Sequence, residues 1–499
     1  MTRRKSKPAP PPSGLQLQAQ ALERYRPLLG EEDFAALLAE LQRPLPQAIR
    51  LNPLKVDTHS ILAEWAGRYG WQVRPLAYCP TGYQILAAAA PLSQTIEHRL
   101  GEYYIQDAAS MLPVELFDLD HQNEPLILDM AASPGGKTTH LISRSMDRGL
   151  VIANDASPSR LPALRQVLAQ WGAMNIATTS FPGEQFGAWF PERFDRVLLD
   201  APCSMENLRS SESHPMRPIS ARERTGLAHR QARLLASALQ AVRVGGEVVY
   251  ATCTLSPQED EAVLESALEL YPHAVQIEST SGRLPGISAP ALVTDGEHVF
   301  DPTVMQALRL WPHRYGTSGF FSALLSKTDT IAGGEGTAPQ RPFAATGLTH
   351  LIGQTLARWL DGLGEQYGFD LAPLLAAQRL GIWQRGGLLF AIPEAFLEHF
   401  QGLPYQSLGL LIGEDTPQGF EPSHEFVARC GAGFTRRRLM LADELIPAWL
   451  SGMDIRPAPA ADGAAKGSIV IVCDRQARLL GRGRMLSDRV KNLLPKRNF

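Results

Sequence analysis

Between residues 126 and 327 the chain alternates short, uninterrupted apolar runs with helical stretches, and few folds accept that order. The runs occupy 126–130, 149–155, 175–180, 195–202 and 246–253. Helical patterning fills 137–146, 158–171, 222–242 and 257–271. A strand that is apolar on both faces must be covered on both, which is the condition of a parallel sheet with crossover helices on each side. A later run, 319–327, has no helix of its own and is expected to join as an antiparallel strand at the sheet edge. The expected fold class is α/β, a Rossmann-like sheet.

The rest of the chain divides around this domain. With 499 residues, about three domains are expected. A basic arm, 1–14, is expected to be disordered. A small α+β appendage follows over 15–100, then the main domain over 101–327. Residues 328–347, rich in Gly, Ala, Thr and Pro, read as a linker to a C-terminal α+β region over 348–499. The net charge of -3 excludes a globally basic nucleic-acid binder, so any such contact has to be local. One local candidate is the closing stretch, where Arg475, Arg478, Arg482, Arg484, Arg489, Lys491, Lys496 and Arg497 face a single acid, Asp488. The five cysteines lack CxxC spacing, which argues against a zinc site or a disulfide scaffold and for a reducing compartment, the cytoplasm. No apolar run is long enough to span a membrane.

Two places carry chemistry. The first is the strand-to-helix turn Asp129-Met-Ala-Ala-Ser-Pro-Gly-Gly-Lys137. Small residues and a helix N-terminus let a ligand approach the backbone, and ligands of open α/β sheets lie beyond the carboxyl ends of the strands. Ala131, Ala132, Ser133, Pro134, Gly135, Gly136 and Lys137 are therefore placed for a nucleotide-like cofactor. Asp155, ending the second run, either accepts from ribose hydroxyls or caps the helix near Pro158.

The second place is a pair of strand ends, Asp200-Ala-Pro-Cys203-Ser and Ala-Thr-Cys253-Thr. A lone buried cysteine is usually a small hydrophobe. Two at the same edge of the sheet, beside a cofactor turn, suit covalent catalysis, in which a thiolate adds to an electron-poor ring. Position alone leaves open which cysteine attacks. Asp200 is placed to hydrogen-bond a ring nitrogen. The polar loop 205–218, with Arg209, His214 and Arg217, is either a border for the reacting base or a solvated surface loop.

The motifs PGGKT, DAPCS and ATCT, in this order, with RLNPLK (50–55) and GEYYIQDAASM (101–111), resemble the RNA (cytosine-5) methyltransferases of the RsmB/RsmF and Nop/Sun type. EPSHEF (421–426) and KNLLPK (491–496) resemble the PUA-like RNA-binding tail of RsmF-type 16S rRNA methyltransferases. The resemblance implies a class I methyltransferase fold and the cofactor S-adenosyl-L-methionine. It implies that Cys253 is the nucleophile, that Cys203 assists release, and that residues 131–137, Asp155 and Asp200 hold the cofactor. The implied partner is RNA, 16S rRNA or the small ribosomal subunit, met by a monomer. A tRNA methyltransferase, a non-catalytic assembly factor and a redox protein pairing Cys203 with Cys253 are the competing readings. Two departures stand out. Pro182 occupies the position of an acid found near the adenine in many members, leaving Ser180, Phe181 or Glu184 as adenine contacts, and SMENLRSSESHPMR (204–217) replaces the usual Gly-rich run.

Overall fold

The computed structural model describes residues 22–120, 124–205, 219–459 and 463–495. The basic arm, the loop from residue 206 to 218, and Lys496 and Arg497 lie outside the described residues.

An antiparallel sheet comes first. It is built from β1 (Gln47–Leu51), β2 (Gln72–Leu76), β3 (Cys79–Ala87) and β4 (Tyr103–Ile105), in the order β2-β3-β1-β4. Trp65, Trp71 and Tyr103 form its aromatic core. β4 pairs with β1, Ile49 facing Ile105, so this sheet reaches past residue 100.

The central sheet has five parallel strands, β5 (Leu126–Asp129), β6 (Leu150–Asn154), β7 (Ile176–Thr179), β8 (Phe194–Asp200) and β9 (Val242–Thr252). Outward from β9 lie β10 (Val275–Ile277), β11 (Leu308–Leu310) and β12 (Phe320–Lys327). The order is β10-β12-β9-β8-β5-β6-β7, with β11 also on β12. The parallel run and the antiparallel late strand agree with the sequence pattern. The edge position does not: β12 pairs with β9 on one side and with β10 and β11 on the other. The reason is burial. All but one residue of β12 is buried, and backbone groups removed from water need partners on both sides.

The far edge is closed by the C-terminal region. After β13 (Thr349–His350), β14 (Leu380–Arg385) and β15 (Leu388–Pro393), the chain returns as β16 (Ser407–Leu408) and pairs antiparallel with β7. Ser407 faces Thr178 and Leu408 faces Ala177. Residues 328–347, read above as a linker, lie against the folded protein: Ile331, Ala338 and Phe343 are buried, and Phe343 meets Trp383 edge-on at 5.2 Å. β17 (Leu410–Thr416) and β18 (Gly419–Pro422) complete a five-stranded sheet with β13–β15. A last sheet comprises β19 (Arg438–Leu441), β20 (Ile469–Asp474), β21 (Leu479–Met485) and β22 (Val490–Asn492).

The N-terminal sheet is fastened to the central one by the run 50–55. Arg50 is fully buried on β1. Its guanidinium donates to Gln106 Oε1 (3.1 Å), Ser143 Oγ (3.3 Å), Thr139 Oγ1 (2.6 Å) and the Gly136 carbonyl (3.0 Å). It also sits 4.8 Å over the Trp171 ring. Burial lowers its pKa to about 10, so the group stays charged at neutral pH. Asn52 Nδ2 donates to the carbonyls of Gly101 and Trp171, and Lys55 Nζ to those of Leu100 and Gln170.

Arg50→Ala should cost about 3 kcal/mol, because several buried acceptors lose their donor at once. Arg50→Lys should recover less than half, since an ammonium cannot span the acceptors of a planar fork. Urea unfolding of the two variants measures both; a loss below about 1 kcal/mol in Arg50→Ala would show that the clamp is dispensable.

Candidate active site

β5 ends at Asp129, and the chain turns through 130–135 into the helix Gly136–Arg144. The turn is tight. Gly135 has φ 115°, a left-handed conformation that favours glycine. At Gly136 a Cβ would stand 2.9 Å from the Tyr104 ring, so glycine lets β4 close over the turn.

A cavity of about 200 Å³ opens there. Its floor is Ala131, Ala132, Ser133, Pro134, Gly136 and Lys137, with Asp129 and Asp200 at its sides. Six of the seven predicted turn residues line it; Gly135 lies behind, against Leu164 and Val167. The opposite wall comes from the N-terminal sheet and its exit: Tyr104, Ile105, Gln106 and Ser110. Sequence reasoning marked 101–111 only as part of a resemblance and gave these side chains no role.

Asp129 was also missed, although it heads the turn motif. It is 1% exposed, and Oδ2 accepts a 2.6 Å hydrogen bond from Thr138. Oδ1 has no partner among the described residues. Burial pushes its pKa up to about 7. A buried carboxylate oxygen without a donor, beside a cavity, is placed for a cationic group of a ligand. The available signal was an acid at the end of the first strand of an open sheet.

Lys137 Nζ lies 2.7 Å from Asp200 Oδ2 and 5.1 Å from the centre of the Phe320 ring. Burial opposes its charge, but the attraction of Asp200 more than offsets this, and its pKa is raised. Asp155 is buried at the end of β6, with its oxygens already engaged. It accepts from the backbone N–H of Ser133 (3.2 Å) and of Ser157 (2.9 Å), and Arg160 is 3.3 Å away. Asp155 thus ties the cofactor turn to the loop that leads into the helix Leu161–Trp171. None of Ser180, Phe181, Pro182 and Glu184 lines the 200 Å³ cavity. Ser180 Oγ donates to the Asp155 carbonyl, and Glu184 is paired with Arg230.

The two cysteines meet because their strands run in register. Asp200 of β8 faces Ala251 of β9, and each chain leaves the ladder just beyond. Cys203 Sγ and Cys253 Sγ end 3.2 Å apart as free, half-buried thiols. The hydrogen bond to Cys253, together with burial, holds the Cys203 pKa well above that of an ordinary thiol. The two thiols share this hydrogen bond, and either sulfur can be its donor. Ser204 Oγ and Thr254 Oγ1 share a second link, 2.9 Å long, between the two loops.

Comparison with known proteins identifies the family. A family profile described as "16S rRNA methyltransferase RsmB/F" matches residues 116–326. A second, "N-terminal domain of 16S rRNA methyltransferase RsmF", matches 17–108. The ribosomal RNA small subunit methyltransferase F of Cronobacter sakazakii is 32% identical over 94% of this chain and 92% of its own. That of Klebsiella pneumoniae is 33% identical over 93% and 92%. Among solved structures, a methyltransferase homolog protein from Pyrococcus horikoshii matches with a TM-score of 0.54 and 28% identity, over 64% of this chain and 99% of its own. NSun6 from the same organism shares the fold, with a TM-score of 0.52 and 21% identity, over 62% of this chain and 97% of its own. With full-length relatives above 30% identity and both of its first two regions matched, the chain belongs to the RsmB/F family of 16S rRNA methyltransferases.

Proposed function

We propose that the protein transfers a methyl group from S-adenosyl-L-methionine to carbon 5 of a cytosine in 16S rRNA, forming 5-methylcytidine. The observation that carries this reading is the pair of thiols 3.2 Å apart, beside a cavity that ends in the Lys137–Asp200 pair.

The cavity suits the cofactor. The small residues 131–134 and Gly136 admit its methionine portion, and the orphan Oδ1 of Asp129 suits its ammonium. Asp155 is assigned to the ribose hydroxyls in this reading, although it does not line the cavity and its bonds to Ser133 and Ser157 hold the turn. The bound cofactor supplies an electrophilic methyl on a sulfonium. Carbon 5 of cytosine is too weak a nucleophile to take it unaided. The Cys253 thiolate adds to carbon 6, and the ring electrons move toward nitrogen 3, where Asp200 interacts. Carbon 5, now enamine-like, accepts the methyl. Loss of the carbon 5 proton to a base re-forms the double bond and expels Cys253 as thiolate. Cys203, held as a thiol beside it, serves this release. The target base has to leave its stack to reach the cysteines.

The N-terminal sheet and the C-terminal region contact the RNA in this reading, with the last sheet as a PUA-like module. Its arginines are less free than the sequence suggested. Arg478 pairs with Asp474 and Glu97, Arg484 with Glu421, and Arg489 with Asp454 and Asp488. Arg475 and Lys491 remain exposed with no acidic partner among the described residues. The chain acts as a monomer in the cytoplasm, where its substrate is; no described helix is long and apolar enough to cross a membrane.

Five outcomes are expected. Cys253→Ala abolishes methyl transfer but still binds cofactor, whereas Cys203→Ala accumulates a covalent protein–RNA adduct. Tritiated-methyl transfer and denaturing gels read these, and turnover by Cys253→Ala would reject the assignment. Asp129 is neutral below about pH 7 and anionic above, so cofactor affinity should rise roughly eightfold from about pH 6 to about pH 7.5. Asp129→Asn should bind more weakly and show a flat profile by calorimetry; an unchanged slope removes Asp129 from the site. The double variant R475E/K491E should weaken RNA binding and lower its salt dependence by about two counterions. An unaltered salt slope would rule these side chains out as phosphate contacts.

A further inference from the structure

We propose that Glu259 is a positioning residue for Cys203, acting on product release rather than on attack. The proposal rests on the assignment of Cys253 as nucleophile and Cys203 as its release partner.

Glu259 follows the Cys253 loop in sequence but holds the Cys203 loop in space. It is fully buried. Its Oε2 accepts from the backbone N–H of Ser204 (2.8 Å) and from Gln231 Nε2 (3.0 Å). Gln231 Nε2 also donates to the Pro202 carbonyl at 2.9 Å. The residues immediately before and after Cys203 are therefore pinned by two side chains that touch each other. Oε1 has no partner among the described residues. Keeping an acid here, with half its acceptor capacity unused, is costly unless the site gains by it.

The Cys253 loop is held by other groups. Thr252 Oγ1 donates to Asp260 at 2.6 Å. The buried Arg309 donates to the Leu255 carbonyl at 2.8 Å and pairs with Asp260 and Glu261. Apart from the Ser204–Thr254 link and the thiol contact itself, the two thiols have separate supports, so a cut at Glu259 loosens the Cys203 side first. A displacement of about 1 Å at a reacting group is enough to slow its step many-fold.

The test uses the full-length enzyme, S-adenosyl-L-methionine and unmodified 16S rRNA, free and assembled into small subunits. Adduct formation and decay are followed separately in single turnovers on denaturing gels, and cofactor affinity by calorimetry. In E259A and Q231L, formation should stay within about twofold of wild type while the adduct lives at least about tenfold longer. Cofactor affinity should be unchanged, and E259Q, which keeps an acceptor oxygen, should recover most of the release rate. A wild-type adduct lifetime in E259A and Q231L would overturn the proposal. So would formation and decay falling together, the mark of a general structural defect, or E259Q as slow as E259A. Should E259A fail to fold, Q231L decides on the same criteria. C203A separates the two levels. If it accumulates adduct while E259A and Q231L do not, only the role of Glu259 is lost. If C203A leaves no adduct, the assignment of Cys203 falls first and takes the proposal with it.

Discussion

One buried charge that touches no carboxylate among the described residues organises the front of this protein. The Arg50 guanidinium is fully buried, and the groups it meets are a side-chain amide, two hydroxyls, two backbone carbonyls and an aromatic face, none of them a carboxylate. A buried cation is tolerated only when its donors are satisfied, and Arg50 gathers its acceptors from Gln106, just past the N-terminal sheet, and from the helix Gly136–Arg144. One acceptor, the Gly136 carbonyl, belongs to the cofactor turn itself. Another, Gln106, forms part of the opposite wall of the cavity. The same contact therefore sets both the docking of the N-terminal sheet and the width of the cleft.

The fold was legible where periodicity settles it. The strand runs 126–130, 149–155 and 175–180 contain β5, β6 and β7, 195–202 covers β8 except Phe194, and 246–253 covers the carboxyl-terminal part of β9, because unbroken apolar runs leave few alternatives. The two strand-end cysteines were equally legible, since parallel register brings equivalent strand ends together. Long-range closure was not legible. Nothing in a two-residue strand such as Ser407–Leu408 announces that it completes a sheet formed far upstream. Nor does the composition of 328–347, rich in turn formers, reveal that Ile331 and Phe343 are buried in a shared core. The cofactor wall from Tyr104, Gln106 and Ser110 escaped for the same reason: local pattern describes an element, not what it is packed against. Roles within the cysteine pair came from the family resemblance, not from spacing.

Charge in this molecule is arranged for position more than for overall sign. The closing stretch reads as strongly basic, yet Arg478, Arg484 and Arg489 are engaged by acids contributed from Glu97, Asp474, Glu421, Asp454 and Asp488. Two of these pairs, Arg478–Glu97 and Arg484–Glu421, tie the last sheet to the rest, and the others lie within its own region. At the active site the acids differ by environment. Asp129, deep and half-satisfied, is raised to about 7, while Asp200 has Lys137 within 2.7 Å.

The pairing of β16 with β7 has a consequence for the order in which the chain can be made. When residue 327 has emerged during synthesis, every parallel strand of the central sheet exists, but β7 still presents an open hydrogen-bonding edge beside a buried, apolar face. That edge is covered only after residues 407–408 have been translated. For the whole interval the nascent chain carries a bare strand of the kind that other strands can pair with. The catalytic half is thus complete in its strands before it is complete in its surface, and the C-terminal region closes a gap that would otherwise invite misassembly.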